Sequence, residues 1–268
     1  MIYILSKPLG NNIFSYSQRE SLWSDCSLVI SNTIEISSLD QVQLGDFVVF
    51  EEIDHLDKLC SNTWLAHTYI LTPEHKRRAE ITSLRKSSAI IITDNHNHIL
   101  PHRLEFISQS DIPKAQLIHI DQHSDLWPNS NTLNTSQIHK PQYRRNFAHL
   151  ECNIGNFITP CVDSWLITHM TQVRTEYTLN ELANHPTSSE FISWNQTTIL
   201  DIDLDFRAPE MWITNIERSM SQVRSLMDHA DLITIASSPY FIDQKLALDL
   251  LHQLLWPRLA KHSRNDTV

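Results

Sequence analysis

Glycine is nearly absent from this chain of 268 residues, which contains only Gly10, Gly45 and Gly155. Three scattered glycines can form neither the G-x-G-x-x-G turn that binds dinucleotides nor the G-x-x-x-x-G-K-S/T loop that binds phosphates. Long hydrophobic runs are also missing, so the sequence predicts neither a transmembrane helix nor a membrane partner. The apolar stretch 1–5 is too short for the core of a secretory signal.

Cysteine is sparse, with four residues and no C-x-x-C pair. This pattern argues against a disulfide scaffold, and we expect a reducing, cytoplasmic location. Basic residues are outnumbered by acidic ones, 21 against 31, which gives a formal charge of −10. Such a chain is a poor candidate for nucleic-acid binding and is suited to a cation or a cationic substrate. Histidine is frequent, at 15 residues.

Four continuous β-branched or apolar runs predict strands buried on both faces, at 89–93, 115–120, 197–204 and 232–236. Helical spacing of apolar residues follows between and after them, over 216–230 and 248–259, and 165–170 is assigned to another helix. This order predicts an α/β fold, a three-layer α/β/α sandwich with a mostly parallel sheet. Residues 88–268 form this predicted core. Residues 1–87 are mixed, with β-like runs at 2–5, 27–30 and 46–50, and are either part of the same domain or a surface that recognises a peptide.

Acidic and imidazole side chains mark three of the predicted strand ends. They lie in the sequences DNHNH at 94–98, DQHSD at 121–125 and DIDLD at 201–205. Residues i and i+2 of an extended chain point the same way, and the carboxyl ends of parallel strands meet at one edge of the sheet. The side chains expected to converge there are one histidine of the first segment, Asp121, His123, Asp125, Asp201 and Asp203.

Four carboxylates packed together need cations, since their mutual repulsion otherwise destabilises the fold. Two divalent ions per subunit resolve this repulsion, and mixed oxygen and nitrogen ligands without thiolate suit Mn²⁺, and also Zn²⁺, Fe²⁺ or Co²⁺. In the first segment we favour His96 over His98 as the ligand. The sequence therefore predicts a metal centre at the carboxyl edge of the sheet.

These segments resemble motifs of the arginase/ureohydrolase superfamily, whose signatures are G-G-D-H, D-A-H-x-D and S-x-D-x-D in this chain order. The sequences DQHSD at 121–125 and LDID at 200–203 are similar to the second and third, while the first has no glycines here. The closer resemblance is to the branch of peptide arginases, through HIDQHSDL at 119–126, LDIDLDF at 200–206 and ECNIGNFITP at 151–160.

The resemblance implies an arginase/deacetylase-like fold and a binuclear manganese hydrolase. Its substrate is an arginine-containing precursor peptide made on the ribosome, whose arginine side chains become ornithine and urea when a hydroxide between the metals attacks the guanidinium carbon. It also implies one metal held by His96, Asp121, Asp125 and Asp201, and a second held by His123, Asp121, Asp201 and Asp203. Relatives with this fold commonly self-associate, so a homo-oligomer is compatible with it.

Further roles are hypotheses about how such a reaction would proceed here. Asp125 is the candidate for proton transfer, with His139 or His149 as alternative shuttles, and Glu151 is the candidate contact for the guanidinium. Asn156 either orients Glu151 or contacts the substrate. Each of these residues also has a non-functional interpretation: His139 and His149 as loop histidines, Glu151 as a surface residue and Asn156 as a turn residue. Asp205 and Ser238 are weaker candidates near the site.

Two other functions stay open on the sequence. One is a different binuclear-metal amidino- or amidohydrolase acting on a small molecule, of the agmatinase or deacetylase kind. The other is a non-catalytic binding protein that a metal stabilises. The paired aspartates of the third motif, added to Asp121 and Asp125, favour two metals over the single metal of a deacetylase.

Overall fold

The computed structural model describes residues 2–5, 33–36, 47–50, 69–71, 89–93, 96–110, 113–184, 197–238, 241–242 and 244–255. Its strands are β1 (Ile2–Leu5), β2 (Thr33–Ile36), β3 (Phe47–Phe50), β4 (Tyr69–Leu71), β5 (Ala89–Thr93), β6 (Ala115–Ile120), β7 (Ile167–Val173), β8 (Thr198–Asp203) and β9 (Leu232–Ala236). Its helices are α1 (Leu100–Ser108), α2 (Pro141–Leu150), α3 (Thr159–Asp163), α4 (Glu176–Asn184), α5 (Ile216–Met227) and α6 (Gln244–Leu255). Short 3-10 turns cover His96–Ile99, Thr135–Gln137, Leu204–Arg207 and Pro209–Met211. None of these helices is long and apolar enough to cross a membrane.

The large sheet has six strands in the order β4-β5-β9-β8-β6-β7. The pairs β5–β9, β9–β8, β8–β6 and β6–β7 are all parallel, and only β4 runs antiparallel to its neighbour β5. The predicted α/β fold with a mostly parallel sheet is therefore confirmed. All four predicted strands are present, and the third ends at Asp203 because Leu204 begins a 3-10 turn.

Alternate residues of the central strands enter two separate cores, which makes the sheet the middle of three layers. In β8, Leu200 and Ile202 pack with α4, α5 and α6, whereas Ile199 packs on the opposite face with α1, α2 and α3. The neighbouring strands β5, β6 and β9 alternate in the same way. Burial on both faces explains why these strands are continuous apolar runs in the sequence.

The assignment of 165–170 to a helix is wrong, because this segment leads into β7. Within the described part of the chain, β7 is an edge strand that pairs only with β6, and it leaves Thr168 and His169 exposed. It therefore lacks the continuous apolar run that identified the central strands.

The N-terminal region contributes strands to both sheets. The strands β2, β1 and β3 form a small antiparallel sheet, and they include the predicted runs 2–5 and 46–50. The strand β4 also comes from this region but pairs with β5 in the large sheet. The predicted run 27–30 lies outside the described residues, as does the end of the predicted last helix beyond Leu255.

Candidate metal centre

The acidic segments meet at the carboxyl ends of β6 and β8, on the face of the sheet that α1 covers. The parallel register places His119 of β6 opposite Asp201 of β8, and Asp201 in turn opposite Thr234 of β9. Asp203 follows Asp201 by two residues on the same face of β8, and Asp121 comes directly after the end of β6. This edge is where open parallel sheets bind their ligands.

His96 lies at the centre of the cluster, in the 3-10 turn after β5. Its Nδ1 is 3.1 Å from a carboxylate oxygen of each of Asp121, Asp125 and Asp203. Its Nε2 is 3.1 Å from Asp201 Oδ2 on the opposite side of the ring. The ring of Phe157 packs against it at a centroid distance of 4.8 Å. The favoured histidine of the first segment is thus the one that the fold surrounds with four aspartates.

His123 and Asp205 form a second group beside the first. His123 Nδ1 is 3.2 Å from Asp121 Oδ1 and 3.1 Å from Asp205 Oδ2. The His123 side chain is 32% exposed, whereas Asp121 and Asp205 are fully buried. This group therefore lies at the mouth of the cluster.

A third group lies below these two, around Asp201. Arg103 of α1 donates from Nη2 to Asp201 Oδ2 at 2.7 Å, and both side chains are fully buried. His119 Nδ1 lies 3.0 Å from the same oxygen, and Thr234 Oγ1 donates to Asp201 Oδ1 at 2.5 Å. Here a carboxylate is enclosed by protein donors.

Many of the buried polar atoms that face one another above Asp201 have no hydrogen-bond partner among the described residues. They are both ring nitrogens of His96, His119 Nε2, Asp121 Oδ2, Asp125 Oδ2 and both carboxylate oxygens of Asp205. Buried polar atoms are normally paired, so a set of unpaired ones in a single place requires an explanation. A bound cation gives that explanation.

The spacing of these atoms fits cation ligands. His96 Nδ1 lies 3.1 Å from an oxygen of three different carboxylates, so several candidate ligand atoms converge on one small volume. Among the described residues, two groups could hold a metal ion: His96, His119 and Asp121, and Asp121, His123 and Asp205.

Without a cation the cluster has to hold protons. Burial lowers the pKa of His123, but Asp205 and Asp121 outweigh it and raise that pKa to about 11. Burial and the charge of Asp121 raise the pKa of Asp125 to about 6. Burial, Asp203 and Asp121 raise the pKa of Asp205 well above its usual range. Carboxyl groups in mutual repulsion are typical of sites where a cation supplies the missing positive charge.

Two residues of the cluster adopt left-handed backbone conformations that are uncommon outside glycine. They are Asp125, at φ 51°, and Ser238, at φ 47°. Ser238 Oγ donates a short hydrogen bond to Asp203 Oδ2. Strained conformations of this kind concentrate at functional sites, where the surrounding structure holds a side chain in place.

The matched segment 151–160 packs along the loop that carries Asp125. Trp127 N donates to Gly155 O at 3.0 Å, and Thr159 Oγ1 donates to Trp127 O at 2.8 Å. The side chain of Glu151 is exposed at the end of α2. Asn156 closes a turn, since its Oδ1 accepts from Asn153 N at 2.8 Å.

His139 is exposed before α2, and among the described residues no hydrogen bond or ion pair joins it to the cluster. The side chain of His149 lies outside the described part of the chain. The structure therefore brings together the six predicted metal ligands, which include the proton-transfer candidate Asp125, and leaves the alternative His139 apart from them.

Two members of the cluster had no role in the sequence prediction. His119 was detectable, because it precedes Asp121 by two residues on the same face of a buried strand. Arg103 gave no local signal, since nothing in helix α1 distinguishes it from a surface arginine.

No protein-family model matches the chain, and no curated protein matches it. Among solved structures, the chain is similar to an arginase of Helicobacter pylori at 12% identity, over 89% of this chain and 92% of that one, with a TM-score of 0.34. A TM-score this low does not establish a common fold. The fold assignment rests instead on the strand order and on the cores on both faces of the sheet.

Proposed function

We propose that the chain is a metal-dependent hydrolase of the ureohydrolase type that converts arginine side chains of a peptide into ornithine and urea. The observation that carries this proposal is the cluster of carboxylates and imidazoles, whose unpaired atoms face one another at the carboxyl edge of the sheet. The motif resemblance supplies the reaction class, and the cluster supplies the ligands that such a reaction needs.

The donor set suits a pair of hard or borderline divalent cations, and we propose two Mn²⁺ per subunit. When bound, the cations lower the pKa of water, so that a hydroxide nucleophile is available at neutral pH. The residues that would hold them are the predicted ligands His96, Asp121, His123, Asp125, Asp201 and Asp203, with His119 and Asp205 as further donors in the same volume.

The remaining chemistry belongs to side chains of this chain. Asp125 is buried within the cluster, with a carboxylate oxygen 3.1 Å from His96 Nδ1, and this position suits a group that takes and returns a proton. We propose that it protonates the departing ornithine amine. His139 is the weaker alternative, because it is exposed and no described contact connects it to the cluster.

A guanidinium substrate agrees with the charge of the site and of the whole chain, whose formal charge is −10. Glu151 is the proposed guanidinium contact, since its segment packs against the loop of Asp125. A peptide substrate is supported by Leu126 and Trp127, which follow Asp125 directly and are 39% and 41% exposed. Exposed apolar side chains beside a charged site suit a chain that continues past the reacting arginine.

The test is mass spectrometry of an arginine-containing peptide after incubation with Mn²⁺-loaded protein, with free arginine in a parallel reaction. Each converted arginine makes the peptide lighter by CH₂N₂ and releases one urea. Asp203→Asn should abolish both signals, because Asp203 lies within 3.1 Å of His96 Nδ1. The matched control is Asp163→Asn, an exposed aspartate of α3.

The outcomes separate the competing functions. Urea from free arginine, with an unchanged peptide, would keep the reaction class and remove the peptide substrate. Release of acetate from an acetylated amine would favour a deacetylase-like amidohydrolase. Metal binding without turnover of any of these substrates would favour a non-catalytic, metal-stabilised protein.

A further inference from the structure

We infer that the carboxyl end of β7 holds the loop 121–125 in its working conformation, and that Gln172 and Arg174 are the positioning residues that do so. They act on the metal centre through the backbone of this loop, not as ligands. The inference rests on the proposed metal centre but not on the identity of the substrate.

The loop 121–125 needs support from outside, because its own sequence does not favour its conformation. It contains no glycine, yet Asp125 adopts a left-handed backbone conformation at φ 51°. Within the loop, His123 N donates to Asp121 Oδ1 at 2.6 Å, which closes a turn at the start of the loop. Further restraints come from the neighbouring strand β7.

The side chains of Arg174 and Gln172 both bond backbone carbonyls of the loop. Arg174 donates to Gln122 O from Nη2 at 2.8 Å and from Nε at 3.2 Å. Gln172 Nε2 donates to Ser124 O at 2.8 Å. The two side chains reach the same loop because positions two residues apart in an extended chain point to the same face.

The backbone of β7 adds a third bond, since Val173 O accepts from Asp121 N at 3.2 Å. This amide belongs to the peptide group that precedes Asp121. The two carbonyls that the side chains bond belong to the peptide groups that precede His123 and Asp125. Each predicted ligand of the loop therefore follows directly on a peptide group that β7 holds.

A peptide group that is held in place fixes where the next side chain begins. The peptide group is planar, so its orientation and the φ angle of the following residue set the direction of that residue's Cα–Cβ bond. In the cluster, His96 Nδ1 is 3.1 Å from an oxygen of Asp121 and from one of Asp125, and rotation of either peptide group would change these distances. Removing groups that orient metal ligands typically lowers metal affinity or activity by about 10–100-fold.

Arginine suits position 174 better than lysine does. Its planar fork directs two N–H groups at the same carbonyl oxygen, which fixes the orientation of that carbonyl as well as its distance. A lysine has the same charge but carries it on a flexible stem with a single ammonium group. Arg174→Lys therefore separates the effect of orientation from the effect of charge.

The test compares the double variant Gln172→Leu/Arg174→Leu with the matched double variant Gln222→Leu/Arg218→Leu. The control removes the same residue types from α5, where Gln222 Nε2 donates to Asn180 Oδ1 at 2.7 Å and Arg218 is exposed. The dissociation constant for Mn²⁺ is measured by equilibrium dialysis, and Tm is measured in chelator and in Mn²⁺. Release of urea from an arginine-containing peptide at saturating Mn²⁺ gives kcat and KM.

We expect the variant at 172 and 174 to bind Mn²⁺ about tenfold more weakly than the control variant, and to have a kcat about tenfold lower. The rise in Tm that Mn²⁺ produces should shrink in parallel. KM should change by less than about twofold, because the lost bonds lie behind the ligands and not at the substrate. Arg174→Lys should fall between wild type and the double variant, and Gln172→Glu should not restore wild-type affinity, because a carboxylate cannot donate to Ser124 O.

Equal Mn²⁺ affinity and equal kcat in the two double variants would overturn the inference. This holds even if the variant at 172 and 174 has the lower Tm in chelator, because that result alone is the mark of a purely structural role. If the double variant does not fold, the single variants Gln172→Leu and Arg174→Leu are compared with Gln222→Leu and Arg218→Leu, and equal values would again overturn the inference.

The wild-type protein distinguishes failure of the inference from failure of the proposed function. A wild type that binds Mn²⁺ but releases no urea would overturn the proposed function, and the Mn²⁺ affinities of the variants would still decide the inference. A wild type that binds none of Mn²⁺, Zn²⁺, Fe²⁺ and Co²⁺ would overturn both.

Discussion

The buried ion pair between Arg103 and Asp201 should dominate the stability of the region below the metal centre. Both side chains are fully buried, and the pair joins helix α1 to strand β8 at a distance of 2.7 Å. Replacing Arg103 with Met keeps much of the aliphatic volume and removes the only permanent positive charge that the described structure places on Asp201. The expected result is a folded protein of much lower stability.

The expected loss in the free energy of unfolding is the cost of breaking the ion pair minus the gain from removing the unpaired donors of Arg103. Breaking a buried pair by removing one partner costs about 3–5 kcal/mol, because the remaining charge is uncompensated. Arg103 Nε and Nη1 have no hydrogen-bond partner among the described residues, so removing them relieves about 1 kcal/mol. The net loss is then about 2–4 kcal/mol, which for a chain of this size lowers Tm by about 5–15 °C.

The assay is chemical and thermal unfolding with chelator at pH 7.5, for wild type, Arg103→Met, Asp201→Asn and the double variant. The double-mutant cycle should give a coupling energy of at least about 2 kcal/mol. The double variant should be more stable than Arg103→Met, because no uncompensated charge remains. A loss under about 1 kcal/mol in Arg103→Met, or a coupling energy near zero, would refute the reasoning.

Three further predictions test other parts of the structure. The pKa of His123 is raised to about 11 in the metal-free cluster, so Mn²⁺ must displace the His123 proton at pH 7.5, and below about pH 6 the Asp125 proton competes as well. The calorimetric heat of Mn²⁺ binding should therefore depend on the ionisation enthalpy of the buffer, and the affinity for Mn²⁺ should rise with pH. Heats of binding that do not depend on the buffer would contradict this prediction. Thr234→Val removes the donor to Asp201 Oδ1 and should cost about 1–3 kcal/mol without changing the metal count, which dialysis checks. Asn215→Ala removes the cap of α5 and should cost about 1 kcal/mol, with unchanged Mn²⁺ affinity as the control for site-specific effects.

Most of the large sheet could be predicted from the sequence, because a strand that is buried on both faces consists almost entirely of apolar residues. Strands β5, β6, β8 and β9 are the central ones, and each is a run of apolar residues with few interruptions. The edge strand β7 could not be predicted, since half-exposure allows threonine, histidine and glutamine in it. The apolar run that identifies a central strand is therefore weakest in a strand at the edge of the sheet.

The carboxylates and imidazoles of the candidate site were predictable for a different reason. Charged residues inside a buried strand are rare, so Asp201 and Asp203 stand out against their apolar neighbours. What the sequence could not provide is the partner of each carboxylate. The contact between Arg103 and Asp201 joins positions 98 residues apart and depends on how α1 lies over the sheet.

This difference matters for how a repeated D-x-D-x-D pattern is interpreted. Asp201, Asp203 and Asp205 are equivalent in the sequence, because any two neighbours match a motif that needs two aspartates separated by one residue. In the structure they have different partners: Asp201 is bonded to Arg103, Asp203 faces His96, and Asp205 faces the partly exposed His123. Register along the strand, rather than residue type, decides which carboxylates a metal ion can reach, and only a structure supplies the register.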